Sequence, residues 1–307
     1  MDRVLRYTYE LALSVGLERF APVNERQLVR LVVYCMFATG VATFVLLELF
    51  TSPAAYGRYS PAAAAAAATS DDEKQREQRR RRREAARTPW YYGPVLPARV
   101  AWMLQEAPSF ALPVAYMLVL GRDDLVARPA NFVLLSMMAV HYANRTFLYP
   151  LMLRGGKGTP ALLVLAAFAF CLVNGYVQAV QHARITHYAR GYERSPRFLL
   201  GCALYVLGAA INVHADTTLR NLRKPGERGY KVPRGGAFRF VSCANYFGEL
   251  VEWTGYAVAS NTLTAAAFAF FTFANTGPRG RAHHRDYHRR FGDAYPRERT
   301  AVIPFVY

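Results

Sequence analysis

Long apolar runs separated by basic loops set the pattern of this chain. The clearest run, residues 100–121, holds 22 residues with a single charge, Glu106. An apolar segment of about 20 residues is long enough to cross a bilayer as a helix. A carboxylate at that depth costs about 2.5 to 3.5 kcal/mol on insertion scales, so we expect Glu106 to face a partner or a cavity. The alternative is a neutral Glu106 that only holds two helices together through hydrogen bonds.

The apolar runs are numerous enough for seven helices. The last of them, 240–275, is long enough for two helices and is broken near Ser260-Asn261. The others are 28–49, 100–121, 129–153, 161–181 and 198–215. We therefore predict an all-α, multi-pass membrane protein with seven transmembrane helices.

Composition divides the chain into three parts. Residues 1–51 form an N-terminal segment and the first span, and residues 98–307 hold the remaining spans. Between them, residues 52–97 are a low-complexity loop with an alanine block at 62–68 and an arginine run at 79–83. We expect this loop to lie on an anionic lipid leaflet, and we expect deletion of residues 62–87 to leave catalysis nearly intact. A nuclear or RNA-binding tag is the alternative for the arginine run.

The chain is strongly basic, with a net charge of +17, although 53% of its residues are hydrophobic. Its basic residues lie between apolar runs rather than on one domain face, which favours cytoplasmic loops and anionic lipid over nucleic acid. The positive-inside rule places the basic C-terminus in the cytoplasm. The arginine-rich loop 182–197 is the exception to the rule. Residues 1–27 have no early apolar core, so we expect no cleavable signal peptide.

Polar side chains recur at helical spacing within three of the spans, so each set shares one helix face. The sets are Tyr142, Arg145 and Tyr149 in the third span; Asn212, Asp216 and Arg223 in the fifth; and Asn245, Glu249 and Glu252 in the sixth. Together with Glu106, they indicate a shared polar cavity between helices. Simple interhelical hydrogen bonds, worth about 0.6 kcal/mol each, are the alternative, but they explain the charged members poorly.

Basic residues cluster at the predicted cytoplasmic ends of these helices and favour a ligand with several phosphates. They are Arg220, Arg223, Lys224, Arg228, Lys231, Arg279, Arg281, His283 and His284. A glycine-rich phosphate loop after a strand is absent, which argues against a dinucleotide-binding Rossmann domain. The histidines near residue 284 lack the spacing of a zinc site, so we predict no metal; solvated loop histidines are the alternative. The four cysteines are interpreted as buried, unpaired side chains.

Over residues 96–307, the motifs in this order resemble the steroid 5α-reductase family, the 3-oxo-5α-steroid 4-dehydrogenases. Any one motif is weak, but the whole series is specific. The motifs are LPAR (96–99), QEAPSF (105–110), HYANRTF (141–147), NVHAD (212–216), LRKPGE (222–227), NYFGE (245–249) followed by Glu252-Trp253, HHRDY (283–287) and IPF (303–305). Three departures stand out: LRGGK at 153–157, Tyr230-Lys231 where the family has Tyr-Arg, and the insert at 60–88.

The resemblance implies a seven-helix enzyme of the endoplasmic reticulum membrane that uses NADPH to reduce the Δ4 double bond of 3-oxo steroids. It implies that Glu106 and Tyr142 bind the C3 carbonyl oxygen, with Gln105 in support. Residues implied to bind the cofactor's nicotinamide and ribose are Asn212, Asp216, Asn245 and Glu249. Those implied to bind its phosphates or adenosine are Arg145, Arg223, His283 and Tyr287. The partners implied are a steroid or sterol-derived enone and the bilayer, with no nucleic acid; the oligomeric state stays open.

The chemistry of these side chains agrees with this activity. Conjugate reduction places a hydride on C5 and builds negative charge on the C3 oxygen. A phenol and a protonated carboxyl in a dry site can both donate hydrogen bonds to that oxygen.

Other functions stay open on the sequence alone. Within enzymes, they are reduction of another lipid enone, a polyprenol or an enoyl-CoA, and methyl transfer from S-adenosylmethionine to a prenylated cysteine. A non-catalytic sterol-binding or scaffold protein is a third class. A transporter is disfavoured because no inverted repeat is evident.

Overall fold

The computed structural model describes residues 24–49, 92–223 and 230–307, with only the backbone described at 121–125. Most of these residues are helical. The alanine and arginine blocks of the predicted loop lie outside the described residues, as do Lys224 and Arg228.

Eight α-helices and one two-stranded sheet make up the regular structure of this part of the chain. The helices are α1 (Glu25–Leu49), α2 (Ala98–Ala127), α3 (Pro129–Ala143), α4 (Tyr149–Met152), α5 (Ala161–Val180), α6 (Pro196–Asn221), α7 (Ala244–Ser260) and α8 (Leu263–Phe291). The strands β1 (Val95–Leu96) and β2 (Thr159–Pro160) pair antiparallel.

Two π-helical turns extend these helices. Asn144–Leu148 joins α3 to α4 in one continuous rod, and Gln181–Ile185 prolongs α5. Such turns are rare and are frequently found at functional sites. Shorter 3₁₀ turns lie at Tyr192–Arg194, Gly236–Arg239 and Gly292–Ala294.

The helical segments follow the predicted runs closely. The predicted break at Ser260-Asn261 is confirmed, because Asn261 ends α7 in the left-handed conformation (φ 50°) and Thr262 caps α8. Four segments in the described residues are long and apolar enough to cross a membrane: Glu25–Leu49, Ala98–Leu120, Ala161–Ile185 and Pro196–Asn221. The structure is thus that of an all-α membrane protein, and seven crossings stay a prediction.

Glycines allow α6 and α7 to approach each other closely. Gly201 and Gly208 on α6 face α7, while Gly248 and Gly255 on α7 face α6. A Cβ added at Gly208 would lie 2.1 Å from the backbone nitrogen of Glu252. The two backbones therefore touch, which is the packing that small residues permit between membrane helices.

An aromatic core fills the centre of the helix bundle. Trp253 and Tyr256 of α7 are fully buried, and the Trp253 ring lies 4.4 Å from the ring of Phe268 on α8. Phe37 of α1 packs on Phe270 of α8 at 5.6 Å. This core holds α3, α7 and α8 around one side of the predicted site.

The last residues of the chain pack back against the start of α7. Val241 and Thr300 form a parallel bridge, and the Ser242 backbone N–H donates to the Thr300 carbonyl at 2.9 Å. Glu48, at the end of α1, accepts hydrogen bonds from Arg281 at 2.7 Å and from Tyr307. The C-terminal segment is thereby fixed beside α1, α7 and α8.

The four cysteines differ in burial. Cys171 and Cys243 are buried, whereas Cys35 is exposed on α1 and Cys202 is half-buried. The prediction of burial was wrong for Cys35, because an apolar run that faces lipid exposes part of its circumference.

Candidate active site

The centre of the site is Arg145, a buried arginine on the π-helical turn after α3. Its Nη1 donates to Asp216 of α6 at 3.0 Å, and its Nη2 donates to Glu249 of α7 at 3.1 Å. The rings of Trp102 on α2 and Tyr149 on α4 lie 5.4 Å and 5.0 Å from its guanidinium carbon. One side chain therefore draws four helices together, and three predicted site residues meet at one point.

A second contact joins α6 and α7 one turn away. The Asn212 side-chain amide donates to the Asn245 backbone carbonyl at 2.9 Å. Asn212 and Asp216 lie four residues apart on α6, and Asn245 and Glu249 lie four residues apart on α7. Because residues at this spacing share a helix face, the two pairs face each other across the glycine contact. This group of two amides and two carboxylates is the predicted binding site for nicotinamide and ribose.

Glu106 lies on α2 with two donors on its carboxyl group. Gln105 Nε2 donates to Oε1 at 3.2 Å, and the thiol of Cys171 on α5 donates to Oε2 at 3.6 Å. Ser109 Oγ donates to the Cys171 carbonyl at 2.9 Å and ties α2 to α5. Sequence reasoning missed Cys171, since a lone cysteine in an apolar run gives no signal of its neighbours.

Tyr142 and Glu106 belong to the same electrostatic environment as the Arg145 cluster. Tyr142 is buried, with 4% of its surface exposed. It interacts electrostatically with Glu106, Cys171 and Glu249. Glu106 in turn interacts with Arg145 and Glu249. The predicted carbonyl-binding pair therefore lies within electrostatic range of Arg145 and Glu249.

Glu252, the third member of the polar set on α7, has a partner that the sequence did not reveal. His141 Nδ1 lies 2.7 Å from Glu252 Oε1, and both side chains are buried. The spacing along the sequence predicts that Glu252 and Glu249 share one face of α7. The spacing does not reveal which side chain of α3 faces Glu252.

His283 and Tyr287 lie on the charged part of α8, beside α7 and the C-terminal segment. The His283 ring is 6.1 Å from Tyr246 of α7, and the Tyr287 ring stacks on Tyr295 at 5.3 Å. The alternative that these histidines are solvated loop residues was wrong, because α8 continues as a helix to Phe291.

A short hydrogen-bond chain anchors this region. Tyr295 donates to Ser242 Oγ at 2.7 Å, and Ser242 Oγ lies 2.6 Å from His284 Nδ1. Burial, together with the neighbouring His288, lowers the pKa of His284 from its usual 6.5 to about 4. His284 is therefore neutral at physiological pH, and the direction of its hydrogen bond with the Ser242 hydroxyl depends on the imidazole tautomer.

Arg299 is a functional candidate that sequence reasoning missed. It is 5% exposed, and its guanidinium carbon lies 5.3 Å from the Tyr295 ring. Its Nε and Nη1 are buried and make no hydrogen bond within the described residues. A buried, unsatisfied guanidinium is costly, so this geometry suits an anion. In a basic tail, one arginine among many gives no sequence signal of burial.

One predicted site residue, Arg223, lies on the surface of the described part of the chain. The helix α6 ends at Asn221, so Arg223 is exposed beyond the helix rather than on the face of Asp216. It adjoins residues 224–229, which lie outside the described residues. Within the part of the chain that is described, no group of three or more His, Cys, Asp or Glu side chains is arranged to hold a metal ion.

Comparison with known proteins identifies the family. The family model described as 3-oxo-5-alpha-steroid 4-dehydrogenase matches residues 157–307. The bovine 3-oxo-5-alpha-steroid 4-dehydrogenase 1 is 44% identical over 283 residues, which cover 92% of this chain and 98% of the relative.

Two further relatives agree. The human 3-oxo-5-alpha-steroid 4-dehydrogenase 1 is 47% identical over 69% of this chain and 81% of its own length. The rat 3-oxo-5-alpha-steroid 4-dehydrogenase 2 is 48% identical over 70% of this chain and 83% of its own. The resemblance seen in the motifs is thus confirmed, and the chain belongs to the 3-oxo-5-alpha-steroid 4-dehydrogenase family.

Proposed function

We propose that this protein reduces the Δ4 double bond of 3-oxo-Δ4 steroids to 3-oxo-5α-steroids with NADPH, in the endoplasmic reticulum membrane and with its C-terminus in the cytoplasm. The main support is the Arg145 junction, the point where Arg145 bonds to Asp216 and Glu249. It joins the helices that carry the proposed substrate residues to those that carry the proposed cofactor residues. Both relatives of type 1 and the relative of type 2 are named for this oxidoreduction.

At the substrate end, Tyr142 and Glu106 bind the C3 carbonyl oxygen of the steroid. Negative charge grows on that oxygen as C5 is reduced, and donors fixed before the reaction stabilise it by several kcal/mol. Glu106 donates only as a neutral acid. A charged carboxylate is costly in an apolar span, which favours this neutral form. Gln105 orients the carboxyl group through its 3.2 Å hydrogen bond.

At the cofactor end, Asp216 and Glu249 accept hydrogen bonds from hydroxyl groups, while Asn212 and Asn245 offer amide groups. Arg145 is bonded to both carboxylates, so we assign it to holding them in place rather than to a phosphate. When bound, NADPH supplies the hydride. The protein residues orient the two reactants and exclude water.

Arg299 is the residue whose surroundings best suit a phosphate group of the cofactor. Its two unsatisfied nitrogens match the charge and hydrogen-bond needs of a phosphate. Tyr287 stacks on Tyr295, and His283 lies one helical turn before Tyr287 on α8. We assign Arg299 to the cofactor's phosphate-bearing half together with them.

The substrate assignment is tested with Tyr142→Phe, which removes one hydroxyl and keeps the ring. We expect turnover to fall at least about tenfold, the low end for losing one such donor, with NADPH affinity unchanged. Tyr188→Phe is the control, since its hydroxyl donates to the Ser260 carbonyl at the end of α7. Wild-type turnover in Tyr142→Phe would contradict the assignment.

The cofactor assignment is tested with Arg299→Gln. Charge-assisted hydrogen bonds contribute about 1.5 to 3 kcal/mol, so the Kd for NADPH should rise at least about tenfold. The KM for the steroid at saturating NADPH should stay the same. Arg297→Gln, which changes an exposed arginine paired with Asp293, is the control. An unchanged Kd in Arg299→Gln would remove Arg299 from the site.

A further inference from the structure

The buried pair of His141 and Glu252 has no part in the function proposed so far. Its nitrogen and oxygen are 2.7 Å apart, and the side chains are only 5% and 2% exposed. Burying an ionisable pair costs several kcal/mol in desolvation, and well-packed apolar side chains of the same size are often as stable. The pair is therefore poorly explained as a device for stability alone.

The pair is one of two polar contacts that fix the α3 rod against α7. His141 precedes Arg145 by four residues, and Glu252 follows Glu249 by three. Arg145 bonds Glu249, and His141 bonds Glu252. Two contacts about one turn apart restrict both the rotation and the axial position of one helix on another. A single contact restricts the rotation of the helix less.

Tyr142 lies between these two contacts, and its ring is packed by the same residues. The His141 ring is 5.0 Å from the Tyr142 ring at 74°, and the Trp253 ring is 6.0 Å away at 30°. His141 and Trp253 themselves lie 4.5 Å apart. A rotation of the α3 rod, or of the His141 ring, would displace the Tyr142 phenol.

We propose that the His141–Glu252 pair positions the Tyr142 phenol toward the substrate carbonyl and acts on the reaction only through that residue. This rests on the proposed function. His141 and Glu252 bond to each other and His141 packs on Tyr142, and neither belongs to the proposed binding residues, so we assign them as positioning residues. A misplaced donor weakens transition-state stabilisation without weakening ground-state binding, so the effect belongs in kcat and not in KM.

The test is a double-mutant cycle of Glu252→Gln with Tyr142→Phe. Glutamine keeps the size and one acceptor oxygen of Glu252, but it replaces a charge-assisted hydrogen bond by a weaker neutral one. We expect kcat to fall about fivefold, with the KM for a 3-oxo-Δ4 steroid and the Kd for NADPH within about twofold. In the Tyr142→Phe background, the same substitution should change kcat by less than about twofold, since the group it positions is gone.

A matched control and a second variant keep the test decisive. Glu25→Gln changes a partly buried glutamate that pairs with Arg184, outside the proposed site, and should leave kcat unchanged. If Glu252→Gln does not fold, His141→Asn replaces it in the cycle, because asparagine retains a donor near the Nδ1 position.

Each outcome decides between the two claims. A fall in kcat of equal size in both backgrounds, or no fall in the Tyr142-containing enzyme, would overturn the positioning role. Wild-type turnover in Tyr142→Phe alone would instead overturn the proposed function of Tyr142, and the positioning role with it.

Discussion

The close contact of α6 and α7 makes Gly208→Ala the sharpest test of the architecture. The added Cβ would lie 2.1 Å from the Glu252 nitrogen, 2.6 Å from the Glu252 Cα and 2.6 Å from the Gly248 oxygen. All three are backbone atoms, so the clash cannot be relieved by moving a side chain. The helices must separate instead.

The size of the effect follows from these distances. Ordinary contact begins at 3.4 Å, so the helices must separate by about 1.3 Å at this point. The Asn212–Asn245 hydrogen bond, now 2.9 Å long, would stretch beyond 4 Å and be lost. Overpacking costs about 1 to 3 kcal/mol, which exceeds the gain of up to about 1 kcal/mol in helix propensity. Separating the pairs of proposed cofactor residues should also weaken NADPH binding about tenfold, equivalent to about one lost hydrogen bond.

Thermal unfolding in detergent and NADPH titration measure both effects. The control is Gly277→Ala on α8, where the three atoms nearest to the new Cβ all belong to the Phe273 ring, at 3.1 Å or more, so that a side chain rather than backbone has to move by a few tenths of an ångström. We expect this control to keep its Tm and its NADPH affinity. A Gly208→Ala protein with native Tm and native affinity would refute the claim that these helices touch through their backbones.

Three further predictions follow. Arg145→Lys removes the fork that bonds two carboxylates at once, so NADPH affinity measured by titration should fall at least about tenfold; an unchanged affinity would count against its role. Because the pKa of His284 is lowered to about 4, its neutral form stabilises the fold. This contribution to stability is complete above about pH 6.5 and is lost as the pH falls toward 4. The Tm of His284→Gln should therefore decline less than the wild-type Tm between pH 6.5 and pH 4. Parallel declines of the two Tm values would contradict the effect. Deleting residues 62–87 should leave turnover nearly intact in correctly inserted protein, and lost turnover would show that this loop takes part.

The helices of this fold could be predicted from the sequence because apolar runs and polar sets carry their own period. The run 240–275 shows its break at Asn261, since an asparagine tolerates the left-handed conformation that ends α7. The same signal fails beyond residue 275. Beyond residue 275, α8 continues for 16 more residues, to Phe291. This part of the helix is charged rather than apolar, and the ion pairs of Asp286 with Arg289 and Arg290 support it.

The candidate site could be predicted only in part. Spacing along one helix shows which side chains share a face, and the faces of Asn212 with Asp216, and of Asn245 with Glu249, were placed in this way. Spacing does not show what lies opposite, so the partner of Glu252 was missed. The site residues otherwise stay a prediction, as does the division of the chain into three domains.

Partner information exists only in the packed structure. The family resemblance assigns Arg145 to the cofactor's phosphates or adenosine, whereas its guanidinium is bonded to two carboxylates. Arg299 was not distinguished from the other basic residues of the tail, because burial of a single arginine depends on the whole fold around it.

The most direct test of the central claim uses NADPH that carries deuterium at the transferable position of the nicotinamide. Purified protein in lipid vesicles is incubated with this cofactor and a 3-oxo-Δ4 steroid, and the product is analysed by mass spectrometry and NMR. We predict a 3-oxo-5α-steroid with deuterium at C5, formed only when both reactants are present. No reduction of any 3-oxo-Δ4 steroid, or deuterium at another carbon, would contradict the proposal.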